Sequence, residues 1–337
     1  MMSFEEFTES VKNNLVPYLS PEYSGAKVEV TRKRKVNVEV TGLSVFKECI
    51  KNRVVPSITL DHFYENYQRD GSMDDVLAVL ADTVEQAYQN IDEMDFLDNP
   101  INKLDKSKVF MQLINSESNR DLLATVPHRE FHDMSVIYRV LFQLDSDGMQ
   151  SVVVTNDLAQ TMEVSEEELF ELAAEQTKEL FPPRIQSMAE VMRGLLGGAG
   201  ITENVEDELG FEDEVGMYMI SNDYGIDCAT NMVYDDVLYE ASGRLGEDVY
   251  VLPSSIHEIL LVPSSMGSPD ELSEMVTSIN RDMVKEDDRL SNQIFFYDRE
   301  RRELHQASEV PILGIKDADF KMVPESHYNR KKNLRFY

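Results

Sequence analysis

Val136-Ile137-Tyr138-Arg139-Val140-Leu141-Phe142-Gln143-Leu144, then Asp145-Ser146-Asp147-Gly148, then Ser151-Val152-Val153-Val154-Thr155 is the stretch that decides the fold class. Both outer runs are rich in β-branched and apolar residues, and the Asp-Ser-Asp-Gly between them favours a tight turn, so 136–144 and 151–155 read as a hairpin. Directly afterwards the pattern turns helical. Asn156-Asp157 caps a short helix, and Ser165 with Glu168 has the spacing of a capping box, opening a helix to about Leu180 that Pro182-Pro183 stops.

Working towards the N-terminus, Phe110–Ile114 reads as a further strand. Residues 3–15 form an amphipathic helix, because Ser3 and Glu6 make a capping box and Phe4, Phe7, Val11 and Leu15 recur at helical intervals. Ala26–Val40 alternates valine with charge, the pattern of half-exposed strands, with Val28, Val30, Val36, Val38 and Val40 inward and Arg32-Lys33-Arg34-Lys35 at a turn. Thr59–Gln68 and Ser72–Ile91 are expected as helices, the second capped by Ser72.

Towards the C-terminus, an amphipathic run from Arg184 ends in the glycine-rich Gly194–Gly200, and the acid-dense Glu203–Glu214 follows. That stretch has the composition of a linker or mobile insertion. Beyond Gly216 come a strand at 217–221, a helix at 231–245, strands at 249–252 and 256–262, and a helix opened by Ser268-Pro269-Asp270-Glu271. A hairpin at 294–297 and 302–305 follows. The expected architecture is α+β: two mixed helix and strand regions, with short antiparallel hairpins packed on amphipathic helices. Its expected boundaries are an N-terminal α+β region over residues 1–193, a linker or mobile insertion over 194–215, a C-terminal α+β region over 216–310 and a peripheral tail over 311–337.

Charge excludes several partners. Lys and Arg number 32 against 63 Asp and Glu, a formal net charge of -31. Such a field repels phosphate backbones and anionic lipid, so nucleic acid is not an expected partner. The basic cluster Asn329–Arg335 reads as a solubilising end. MMSFEEFTESVKNNL carries acids where a signal peptide needs bases, and no run approaches a membrane span, so a cytoplasmic, non-membrane protein is expected. Cys49 and Cys228 lack ligand spacing and read as reduced thiols.

No constellation commits to a chemistry. Pro127-His128-Arg129-Glu130-Phe131-His132-Asp133 mixes imidazole with carboxylate, but Pro127 before it and a strand after it suggest a loop, where a four-residue histidine spacing guarantees no convergence on a metal. His257 and Glu258 interrupt an apolar strand, and His257, His62 and His305 read as structural histidines. The glycines at 194–200 lack the Gly-Lys-Ser/Thr ending of a phosphate loop, there is no Gly-x-Ser-x-Gly elbow, and Asp235-Asp236 and Asp287-Asp288 have no calcium-loop spacing. No cofactor and no metal are expected, and no residue is assigned as catalytic.

Leu122–Tyr138, Ser165–Leu169 and Tyr250–Glu258, in this order, resemble an uncharacterised bacterial family defined only as a domain of unknown function, over about Lys27–Leu304. The chain is also distantly similar to another uncharacterised family of low-GC Gram-positive bacteria. The resemblance implies a bacterial cytosolic protein and no activity, and it implies an apolar residue at the position of His132. The reading is therefore a non-catalytic soluble protein acting through contacts with an unidentified protein. Two alternatives stand beside it: a metal-dependent or other hydrolase using His128, Glu130 and Asp133, and an acidic nucleic-acid mimic that acts as an inhibitor.

The charge imbalance makes one outcome measurable. Like charges oppose compaction, and salt screens exposed ones beyond a Debye length of about 10 Å at about 0.1 M. The melting temperature should rise as NaCl goes from low to moderate concentration, and a clear fall would mean that attractive ion pairs outweigh the excess of acids.

Overall fold

The computed structural model describes residues 2–47, 55–93, 105–145, 148–198, 216–307 and 322–323. It is mixed α+β, with antiparallel sheets throughout its described residues. The chain separates into two compact units, Met1–Leu104 and Asp105–Tyr337. The expected boundary at 193–216 falls inside the second unit, where strands from both sides of it pair with each other. Linker composition reports local chain entropy, whereas a domain boundary depends on which distant strands pair. Residues 199–215 of the expected insertion lie outside the described residues, as do Cys49 and the basic cluster 329–335.

The first unit contains α1 (Phe4–Asn14), β1 (Lys27–Arg34), β2 (Glu39–Phe46), β3 (Ile58–Thr59), α2 (Asp61–Asp70) and α3 (Met73–Glu93). The Ser3–Glu6 capping box is present, and Phe7, Val11 and Leu15 enter a core with Leu43, Val45, Leu60, Leu80 and Val84. β1 and β2 pair from Lys27 with Phe46 to Arg34 with Glu39. The turn therefore lies at 35–38, later than expected, and the basic residues 32–34 belong to the strand. Asn37, at φ 63°, takes the left-handed position that asparagine tolerates better than the valines beside it.

The second unit holds two sheets. The first comprises β4 (Val109–Asn115), β5 (His128–Phe131), β6 (Met134–Asp145) and β7 (Gly148–Val153), with α4 (Arg120–Leu123) between β4 and β5. β4 pairs along one side of β6, while β5 and β7 share the other. After α5 (Asn156–Thr161), α6 (Glu166–Leu180) lies against β4 and buries Leu169, Ala173 and Ala174. Thr155, one residue before the expected cap, accepts the Leu158 N–H at the start of α5.

The remaining elements are β8 (Arg184–Ser187), α7 (Met188–Gly198), β9 (Tyr218–Ser221), a 3-10 turn at Cys228–Val233, α8 (Asp235–Leu245), β10 (Val249–Leu252), β11 (Ile259–Pro263), α9 (Pro269–Asp282), β12 (Phe295–Asp298) and β13 (Glu303–Gln306). Their strands form one sheet in the order β13-β12-β10-β11-β9-β8. β8 stands where the sequence pattern predicts a helix, because its pairing with β9 across 30 intervening residues has no local signature. Of the expected peripheral tail, residues 322–323 are described, and there the buried Val323 donates its N–H to the Val233 carbonyl at 2.9 Å.

Polar groups bind the two sheets of this unit. Buried Gln112 on β4 donates to Asp227 Oδ1 at 2.8 Å, and its own carbonyl oxygen accepts from Arg139 Nη1 on β6 at 3.2 Å. Asp227 has φ 52° and lies beside His257, whose Nδ1 accepts the Asp227 N–H at 3.4 Å. Nearby, Asn115 Nδ2 donates to the Leu290 carbonyl at 2.8 Å and Ser291 Oγ to Asp133 Oδ2 at 2.7 Å. Three of these bonds, Gln112–Asp227, Asn115–Leu290 and Ser291–Asp133, join residues more than 100 positions apart in sequence.

Two outcomes follow. Gln112→Leu keeps the volume but strands Asp227 and removes an acceptor of Arg139, so urea melts should show a loss on the order of 3 kcal/mol. Asp133 titrates: burial pushes its carboxyl above the usual carboxylate range, against the Ser291 hydroxyl that favours the charged form. The folded state then holds a proton that the unfolded state has released, so this group costs stability as pH rises from about 3.9 through its raised folded value. Asp133→Asn should flatten that part of the pH–stability curve and be no less stable than the parent near neutral pH. An unchanged slope would show that Asp133 ionises as freely in the folded chain as in the unfolded one.

Candidate functional site

Residues 128–131 are a strand, not the expected loop. Pro127 prevents a helix from entering, and the alternation of His128, Arg129, Glu130 and Phe131 matches Ile137, Val136, Ser135 and Met134 on β6. Only His132 and Asp133 turn the hairpin, with His132 at φ 57°. The local sequence lacks the Asn-Gly type of signal that normally announces a two-residue turn, which is why β5 is not legible from it.

This geometry separates the residues of the hydrolase alternative. His128 and Glu130 alternate onto one face of β5, whereas the Asp133 carboxylate accepts from Ser291. Among the described residues no group of three His, Cys, Asp or Glu side chains could hold a metal ion. The exposed His132 has its ring centroid 4.9 Å from those of Phe131 and Phe295.

The other candidates fall into separate ion pairs. His257 precedes β11 and does not interrupt a strand; its Nε2 donates to Asp288 Oδ1 at 3.1 Å while Nδ1 accepts from Asp227, so both ring nitrogens are occupied. His128 belongs to a different cluster. Asp235 accepts from Tyr297 and pairs with Arg302 at 2.8 Å, and Asp236 pairs with Lys178 beneath the Tyr234 ring. His62 and His305 lie near Glu65 and Glu303. Cys228 is a buried free thiol pushed up to about 12 by desolvation, with the Asp227 charge acting in the same direction, so little thiolate forms at neutral pH.

A groove of about 650 Å³ opens at the start of β5. Leu123, Val126, Ala159 and Val164 supply its apolar lining, and His128, Asn156, Gln160 and Glu166 its polar one. His128 Nδ1 lies 3.0 Å from the Val126 carbonyl, which can only accept, so the uncharged ring carries its proton on Nδ1 and keeps a lone pair on Nε2. Glu166 is held by Arg129 through two bonds of 3.0 and 2.8 Å and accepts from Tyr138. Burial first, and then that carboxylate, push the Tyr138 hydroxyl well above its ordinary range. Arg129 also stacks on Phe170, 3.9 Å from the ring centre.

The two edges of the first sheet are treated differently. A two-residue hairpin makes Phe131 and Met134 a hydrogen-bonded pair, and alternation then turns the N–H and C=O of His128 and Glu130 away from β6. On β4 the same parity turns Met111 and Leu113 outward. There Thr177 Oγ1 accepts the Met111 N–H at 2.9 Å, while Thr230 Oγ1 accepts from Leu113 at 3.2 Å and donates to the Met111 carbonyl at 3.4 Å. Side chains close the β4 edge; β5 pairs on one side only among the described residues.

No curated protein and no solved structure matches the chain. The family described as "Family of unknown function (DUF5688)" matches residues 4–299, a span that starts in α1 and ends just after β12. Because that match covers well over half of the chain and reaches into both units, the chain belongs to this family of unknown function.

Proposed function

We propose that the chain is a non-catalytic binding protein of the bacterial cytoplasm, and that it acts by taking an extended segment of another protein along β5. The observation that carries this reading is the outward-facing main chain of His128 and Glu130 beside an apolar groove. Strand addition draws affinity from main-chain hydrogen bonds and selectivity from pockets for alternate side chains, and β5 offers both. An enzyme built on His128, Glu130 and Asp133 has less support, because their side chains do not converge. The mimic reading rests on net charge alone, and nucleic acid and membrane are no part of the proposal. No helix among the described residues is long and apolar enough to cross a membrane.

The test places a benzophenone amino acid at Ala124, an exposed groove residue, and cross-links in native cells. Proline at an edge strand removes an outward N–H without breaking the inner ladder, so Glu130→Pro is the control. A discrete protein adduct at Ala124 that Glu130→Pro abolishes, with an unchanged melting profile, is expected. The same adduct in both backgrounds would place the contact elsewhere and overturn the reading.

A further inference from the structure

Resting on that reading, we infer that the strand taken by β5 is basic or neutral, with an apolar side chain flanked by hydrogen-bond donors, and that acidic segments are rejected. The outward groups of His128 and Glu130 are two residues apart, about 6.8 Å along a strand. An added strand makes main-chain bonds at both, and its side chains alternate between the sheet faces. Where it passes the start of β5, one of them lies over Leu123, Val126, Ala159 and Val164.

Three features of the rim set the chemistry. His128 Nε2 presents a lone pair and calls for a donor, such as an ammonium, hydroxyl or amide. The exposed amide side chains of Asn156 and Gln160 can each give and take a hydrogen bond, as a peptide main chain requires. The groove lining carries the Glu166 carboxylate and neither Lys nor Arg, while Glu130 is exposed on the strand itself. The adjacent cation, Arg129, already has both carboxylate oxygens of Glu166. An acidic segment therefore meets like charge with no counter-charge to offset it, in a chain whose net charge is -31.

The probes are two synthetic peptides, acetyl-Ser-Lys-Val-Leu-Val-Lys-Ser-amide and its analogue with Glu for both Lys, measured by fluorescence anisotropy and by amide chemical shifts of the full chain. The lysine peptide should bind about tenfold more tightly, two exposed charge pairs being worth roughly that, and should shift the His128 and Glu130 amides. Methylating alternate peptide nitrogens should abolish binding, as should Glu130→Pro. Ala124→Lys, at an exposed groove position, should weaken the lysine peptide and admit the glutamate one. Equal binding of both peptides, lost in Glu130→Pro, would overturn the charge assignment and leave strand addition standing. Binding indifferent to both variants would overturn the inference and the reading together. If neither peptide binds, the inference falls, and the Ala124 adduct alone then decides the reading.

Discussion

The second unit depends on a carboxylate buried where two sheets meet. Asp227 has left-handed backbone, which aspartate tolerates better than most residues, and its neighbours Gln112, Arg139 and His257 come from three distant stretches of the chain. Desolvation pushes its carboxyl upward, opposed by the Gln112 hydrogen bond and the Arg139 charge, while Oδ2 has no hydrogen-bond partner among the described residues. A buried polar group of this kind costs more when half its partners are removed than when it is present and bonded. The alignment of β4 and β6 with the 227–231 turn is thus fixed by the need to keep Gln112, Arg139 and Thr230 in place. The adjacent threonine then seals β4.

Sealing one edge decides the character of the other. With β4 closed by Thr177 and Thr230, the strands of this sheet that pair on one side only, among the described residues, are β5 and β7, and of the two only β5 contributes a residue, His128, to the groove. Exposed edges invite pairing between copies of the same protein. β5 is short, preceded by Pro127, and carries Glu130 and the nearby Glu166, all features that weaken indiscriminate pairing.

What could be read from the sequence was local. The capping boxes at Ser3, Ser165 and Ser268 stand where expected, and the 136–155 hairpin forms with its second strand starting three residues earlier than expected, because each is stabilised by groups close in sequence. β5 and β8 were illegible for the opposite reason. His128–Phe131 becomes a strand only because a hairpin turns at His132 without glycine or asparagine, and Arg184–Ser187 because β9 arrives from beyond residue 216. His257 looked like an interruption of a strand since apolar residues flank it on both sides. Its hydrogen bonds to Asp227 and Asp288 could not be inferred from spacing. Most of the candidate site is of this second kind: the groove joins residues 123–128 to 156–166, and the Thr125 carbonyl accepts the Asn156 N–H at 2.9 Å where the two stretches meet.

The acidic balance of the chain and the open edge then act on the same problem. Two copies approaching through β5 would bring Glu130 against Glu130 under a net charge of -31 on each, so the contact that geometry permits is the one that electrostatics opposes. A strand from a basic partner meets the same hydrogen-bond groups without that repulsion. On the proposed reading, selectivity at β5 would come from the penalty on the wrong partner as much as from the fit of the right one, because like charge on a short edge strand opposes pairing with its own kind.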